Sequence, residues 1–193
     1  MNNNVKSVMI VGVGGQGTLL ASRILGDAMM NEGFDVKVSE VHGMSQRGGS
    51  VVTYVRYGDK VASPVIETGE ADVVLAFEQL EAARFLPYLK KGGVLVTSSQ
   101  KIDPMPVITG GASYPGGLLE AIEEKGVRLL AIDALSLAEE AGTAKAVNVV
   151  LIGAMAKMLD TPEQVWIDAL ERNVPEKFLE LNRKAFAFGY QSK

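Results

Sequence analysis

Cysteine is absent from the 193 residues, and histidine occurs once. No disulfide, thiolate-held iron–sulfur cluster, Cys-type zinc site or thiol nucleophile can be built from such a chain, and a multi-histidine metal site is excluded as well. A surplus of positive charge is missing too. Lys and Arg number 19 against 23 Asp and Glu, a net charge of −4, which points away from nucleic acid and from a polybasic membrane-surface patch. The most continuous apolar run, Val149 to Ala156, falls far short of the roughly 20 residues that span a bilayer. The opening Met-Asn-Asn-Asn-Val-Lys-Ser has neither the apolar region nor the cleavage site of a signal peptide, so a cytoplasmic location without membrane contact is expected.

What remains is an ordinary globular balance, 47% hydrophobic and 22% charged, in a length that suits one domain with a full core. Val8-Met9-Ile10-Val11 reads as a buried strand that runs into glycines, and Leu19, Leu20, Ile24, Leu25 and Ala28 then recur at helical spacing until Asn31-Glu32-Gly33. Phe34 to Val41 reads as a second strand, which makes the first forty residues a βαβ unit. In the next strand, Ser50 to Tyr57, Val51, Thr53, Val55 and Tyr57 alternate with Val52, Tyr54 and Arg56, and Gly58-Asp59 suggests a tight hairpin into Lys60-Val61-Ala62. Ala71–Phe77, Val94–Val96 and Val127–Ile132 read as further strands. Helices are expected over Glu78–Leu89, Leu118–Lys125 and Ala134–Ala141. Lys90-Lys91-Gly92-Gly93 has the cations and glycines of a helix terminus, and Ser98 to Gly117, with Pro104, Pro106 and Pro115, reads as a loose connection.

From Lys145 the pattern is helical. Val147–Leu159 is apolar on nearly every side, as a buried or partner-facing helix would be. Thr161-Pro162-Glu163-Gln164 offers an N-cap with a capping box, and the last helix, opening at Val174-Pro175, shows Phe178, Leu181, Ala185 and Phe188 along one side. The expected architecture is a three-layer α/β/α domain with a mostly parallel, mixed Rossmann-like sheet over 1–144 and a helical extension over 145–193.

Two segments carry the chemistry. Gly12-Val13-Gly14-Gly15-Gln16-Gly17 satisfies G-x-G-x-x-G between a strand and a helix. There the glycines permit a tight turn and close backbone approach, and the helix N-terminus offers free N–H groups to an anion. Glu40, near the end of the second strand, stands about where a dinucleotide-binding acid would. The turn suits an NAD(P)-binding enzyme, another anion site, or a purely structural bend. The second segment, Ser39 to Ser50, gathers Glu40, His42, Ser45, Gln46 and Arg47 among Gly43, Gly48 and Gly49. Arg47 could grip a phosphate or carboxylate in a bidentate fork, and Gly48 and Gly49 would let the main chain approach a ligand. No nucleophile-plus-base order is recognisable, so no residue is given a catalytic role.

Together these two segments resemble the gamma-type module of the 2-oxoacid:ferredoxin oxidoreductases, nearest the small-subunit type of the indolepyruvate branch. Ser63-Pro64-Val65-Ile66, Phe77-Glu78, and Asn148 with Gly153 extend the resemblance from Val8 to Leu159. The resemblance implies a non-redox subunit of a complex that converts a 2-oxoacid, here an arylpyruvate, and coenzyme A into acyl-coenzyme A and CO2, with electrons passing to ferredoxin. Thiamine diphosphate, Mg and iron–sulfur clusters are then expected in a large partner subunit, ferredoxin is an indirect partner, and this chain is inactive alone. Coenzyme A or the substrate anion would meet Gly12, Gly14, Gly15, Gln16, Gly17, Glu40, His42, Ser45, Gln46, Arg47, Gly48 and Gly49. A self-sufficient NAD(P)-binding oxidoreductase and a non-catalytic scaffold are the alternatives.

Overall fold

A computed structural model describes residues 5–42 and 49–192. Among these residues six strands form one sheet: β1 (Lys6–Val13), β2 (Asp35–His42), β3 (Ser50–Gly58), β4 (Ala71–Ala76), β5 (Leu89–Ser98) and β6 (Arg128–Ile132). Their order is β2-β3-β1-β4-β5-β6. β1, β4, β5 and β6 pair in parallel, whereas β3 is antiparallel to both β1 and β2. The expected mixed sheet is present, but its antiparallel strand enters differently from the expectation. Gly58-Asp59 leads into no strand at Lys60-Val61-Ala62. Instead β3 follows β2 and inserts between it and β1, so β1 and β2 are not sheet neighbours.

The two faces of the sheet are covered unequally. On one, Val8, Ile10, Val55, Tyr57, Leu75 and Val96 pack under α1 (Thr18–Asn31), α5 (Ala134–Ala141), α6 (Val147–Ala156), α7 (Glu163–Asn173) and α8 (Leu179–Gln191). On the other, Met9, Val11, Val52, Val74 and Leu95 meet Ala82 of α2 (Gln79–Phe85) and Ile122 of α4 (Leu118–Glu123). The alternation read in β3 is the one observed, since Val55 and Tyr57 face the first layer and Val52 and Tyr54 the second. A single helical turn, α3 (Met105–Ile108), interrupts the 98–117 connection.

Three local expectations fail for identifiable reasons. The helix after β4 ends at Phe85, followed by a 3-10 turn over Leu86–Tyr88 with Pro87 in its first turn. Lys90, Lys91, Gly92 and Gly93 therefore belong to β5, where the pairing with β4 slips between Ala71 and Val73. Gly92 takes a φ of +82°, and a Cβ on Gly93 would stand 2.9 Å from the Asp72 carbonyl oxygen. These glycines serve a bulge rather than a helix end. Thr161 makes no cap: Pro162 precedes α7 with no side-chain cap bond, and Gln164 donates to Asp168 at 2.7 Å. Of the side expected along the last helix, Leu181, Ala185 and Phe188 do pack on the core, whereas Phe178 lies before α8 in a 3-10 turn and is 48% exposed; Phe186 is the large side chain that α8 buries fully.

The apolar helix α6 spends its surface inside the fold. Every residue from Val147 to Ala156 is buried, against the sheet on one side and α8 on the other. The two helices approach through glycines, for a Cβ on Gly153 would lie 2.1 Å from the Phe186 carbonyl oxygen and one on Gly189 1.8 Å from that of Val150. The helix offers no surface to a partner.

Candidate functional site

The chain leaves β1 for α1 on one face of the sheet and leaves β4 for α2 on the other. Where neighbouring parallel strands part in this way, a crevice opens beyond their carboxyl ends, the usual ligand position in open α/β sheets. Here Gly12 to Gly17 forms its wall, with Gly15 and Gly17 at φ +103° and +84°, a conformation only glycine adopts freely.

Close packing at the turn is built from side chains as well as glycines. The Val13 N–H donates to Gln16 Oε1 at 2.7 Å, and Gln16 Nε2 donates to the Phe77 carbonyl at 3.2 Å, tying the end of β1 to the end of β4. A Cβ on Gly12 would stand 2.8 Å from Gln16 Oε1. The Gln16 side chain is thus held within the turn instead of facing outward. The Gly14 N–H donates to the Gly49 carbonyl at 2.8 Å, and Asn148 Nδ2 donates to the Gly17 carbonyl at 3.4 Å. No side chain caps α1, and among the described residues no acceptor takes the N–H groups of Gly15, Gly17 or Thr18. These amides, at the positive end of a 14-residue helix, suit an anionic group.

Two cavities border these residues and a third adjoins the first. One of about 480 Å³ is lined by Gly15, Gln16, Gly17, Gln100, Lys145 and Asn148. A second, of about 400 Å³, lies on the other side of the turn, between Gly14, Gly15, Gly17, Glu40 and Val51. A third, more apolar space of about 360 Å³ shares Lys145 and Asn148 with the first and is walled by Leu20, Val174, Phe178 and Leu181. The exposed Lys145 places a cation beside the turn. Its position follows from the fold of α5 onto α6, and no local motif in the sequence marks it.

The other expected residues divide. Gly12, Gly14, Gly15, Gln16, Gly17 and Gly49 come together at the turn. Glu40 reaches the second cavity, but from β2, two strands from β1. Strands about 4.8 Å apart put it a full strand farther away than the ribose-binding acid of a dinucleotide fold, so the turn and Glu40 do not form that fingerprint. His42 ends β2; Ser45, Gln46, Arg47 and Gly48 lie outside the described residues.

An acidic cluster lies on the opposite side of the sheet; the sequence singled out only Glu78 of it, as part of the family resemblance, and not its partners Glu81 and Tyr114. Glu78, 1% exposed, caps α2 by accepting from the Glu81 N–H, and its other oxygen accepts from the Tyr114 hydroxyl at 2.8 Å. The Ser50 hydroxyl donates to Glu81, whose other oxygen lies 3.1 Å from Arg84 Nε. Burial pushes the Glu81 carboxyl above its ordinary pKa, an effect opposed by Ser50 and Arg84 and reinforced by Glu78. Burial and the neighbouring Glu78 carboxylate likewise raise the Tyr114 hydroxyl.

The pyruvate ferredoxin/flavodoxin oxidoreductase family matches residues 7–192. A relative from Pyrococcus horikoshii, named indolepyruvate oxidoreductase subunit IorB, is 45% identical over 194 residues, with 96% of this chain and 95% of that protein covered. Among solved structures, the gamma subunit of a keto/oxoacid ferredoxin oxidoreductase from Geobacter sulfurreducens is 27% identical with a TM-score of 0.72, and 96% of each chain is covered. The fold also recurs in 2-oxoglutarate:ferredoxin oxidoreductase from Magnetococcus marinus, solved with 2-oxoglutarate, coenzyme A and succinyl-CoA bound. That match has 20% identity and a TM-score of 0.73, and spans 98% of this chain but 31% of that one.

Proposed function

The chain belongs to the pyruvate ferredoxin/flavodoxin oxidoreductase family, and on that premise we propose that it is the small, non-redox subunit of an indolepyruvate-type oxidoreductase. With a larger partner it converts an arylpyruvate and coenzyme A to acyl-coenzyme A and CO2, with electrons leaving to ferredoxin. The full-length likeness to a protein named as an indolepyruvate oxidoreductase subunit supports this reading, and the displaced Glu40 speaks against a self-sufficient nicotinamide enzyme. Thiamine diphosphate, held with Mg and iron–sulfur clusters by the partner, supplies the decarboxylation chemistry. A chain without cysteine contributes binding and enclosure instead, in the cytoplasm.

Its own residues act on the anionic cosubstrate. The N–H groups of Gly15, Gly17 and Thr18 and the ammonium of Lys145 bind a phosphate of coenzyme A, and the Arg47 guanidinium supplies a second cation to the same group. The apolar space beside Leu20, Phe178 and Leu181 suits the pantetheine arm. The observation that carries this reading is the uncapped N-terminus of α1, facing a crevice with a cation at its rim. In the complex reconstituted with the large subunit, Lys145→Ala and Arg47→Ala each raise the KM for coenzyme A roughly tenfold, equivalent to about 1.4 kcal/mol, with kcat at saturation kept. Unchanged constants for both coenzyme A and the arylpyruvate in both variants overturn it.

A further inference from the structure

The antiparallel ladder between β1 and β3 runs from Lys6 opposite Tyr57 to Val13 opposite Ser50. One step beyond, at the mouth of the crevice, the Gly14 N–H donates to the Gly49 carbonyl at 2.8 Å. Among the described residues this is the last rung, and a rung at the end of a ladder opens readily unless something anchors it. Ser50 carries the anchor. The even-numbered side chains of β3 face α2, and there the Ser50 hydroxyl donates to the carboxylate of Glu81.

Glu81 is expensive to keep where it is. It is 3% exposed, and burying a carboxylate costs free energy that an apolar side chain on the same helix would not. Within α2 it meets Arg84, and the Glu78 cap takes its backbone N–H. The one group outside its own helix that it grips, among the described residues, is Ser50. We infer that Glu81 is a positioning residue for the glycine turn. By holding Ser50 it fixes the last β1–β3 rung, so that Gly49 occupies the Gly14 N–H and the amides of Gly15, Gly17 and Thr18 point together into the crevice. Its effect on ligand binding rests on the reading of the turn as the coenzyme A site; its effect on the rung does not.

Amide exchange in the 15N-labelled full chain reads the rung directly. Ser50→Ala removes the donor and Glu81→Leu the acceptor without opening a cavity. Each speeds exchange of the Gly14 N–H at least tenfold, whereas Ser50→Thr, which keeps a hydroxyl on a strand, restores the wild-type rate. Arg84→Ala, on a side chain 51% exposed, leaves the rate near wild type. In the reconstituted complex Ser50→Ala raises the KM for coenzyme A severalfold with kcat at saturation kept, and Ser50→Thr reverses the change. Fluorescence of the fully buried Trp166 confirms that each variant is folded. A folded Ser50→Ala chain with unaltered Gly14 exchange overturns the positioning role even where Lys145→Ala still raises the KM. Faster Gly14 exchange with an unaltered KM in Ser50→Ala and in Lys145→Ala alike overturns the ligand reading of the turn, and the role of Glu81 in binding with it.

Discussion

Replacement of Gly189 by Ala sets two physical effects of opposite sign against each other. Gly189 lies within α8 and has no left-handed backbone angle, so helix propensity alone favours alanine by about 1 kcal/mol. Packing opposes it. The new Cβ would stand 1.8 Å from the Val150 carbonyl oxygen, 2.7 Å from its carbon and 3.0 Å from the Ala154 nitrogen. Unstrained contacts need about 3.5 Å, so α6 and α8 must part by roughly 1.5 Å, and all three blocking atoms are backbone, with no rotamer to yield. Overpacking costs about 1–3 kcal/mol, more where main chain has to move. With contacts this short the cost belongs at the upper end, about 3 kcal/mol, and less the propensity gain the net expectation for Gly189→Ala is a loss of about 2 kcal/mol, or a Tm lower by about 4–8 °C in a chain of this size. Gly26, in α1, is the control: its added Cβ would make ordinary contacts of 3.8 Å with Val36 and Val38, so Gly26→Ala is neutral or stabilising by up to about 1 kcal/mol. Urea and thermal unfolding of the full chain, followed through Trp166, measure both. A Gly189→Ala chain as stable as wild type would refute the close α6–α8 crossing.

Gln16→Ala removes the acceptor of the Val13 N–H and the donor to Phe77. It lowers stability by about 1–3 kcal/mol and loosens the end of β1 against β4, which faster amide exchange at Val13 and Phe77 reports; wild-type stability and exchange would disprove the tie. Asp133 caps α5, accepting from the Ser136 N–H at 3.1 Å and the Ser136 hydroxyl at 2.7 Å, and these bonds hold its carboxyl below its ordinary pKa. A depressed carboxyl contributes stability that is fully present above its unfolded-state pKa of about 3.9 and lost as pH falls through the folded value. Asp133→Ala therefore costs about 1 kcal/mol at pH 7, a gap that narrows in strong acid as the charged part of the cap is lost. Asp133→Asn keeps most of the cap without the pH dependence, and melting curves from pH 7 downward that show a constant gap would count against this account.

Local chemistry made much of this protein legible from its sequence. The strand–glycine–helix order of residues 8–31, the alternation of β3 and the bounds of α5 are set by side-chain period and backbone freedom over a few residues, and all three are found in the fold. The family resemblance likewise rests on short local segments, chiefly Gly12–Gly17 and Ser39–Gly49. Lys90 to Gly93 misled because cations followed by glycines suit a helix end and a strand bulge alike, and the choice lay with pairing to β4.

The tertiary structure decided whatever depends on groups far apart in the chain. It slid β3 between β2 and β1, since strand order answers to the packing of whole layers, and so removed Glu40 from the position its spacing from the turn had suggested. It brought Asn148 to Gly17 and Lys145 to the crevice across some 130 residues. It turned Gln16 inward to Phe77, buried Glu78 and Glu81 where the sequence shows only a charged helix start, and enclosed α6 under α8 through two facing glycines. A sequence states what each residue can do locally, and the absence of cysteine excluded thiolate chemistry before any coordinate was known. Which N–H groups stay unpaired, and what charge stands before them, is settled only when distant segments have taken their hydrogen-bond partners.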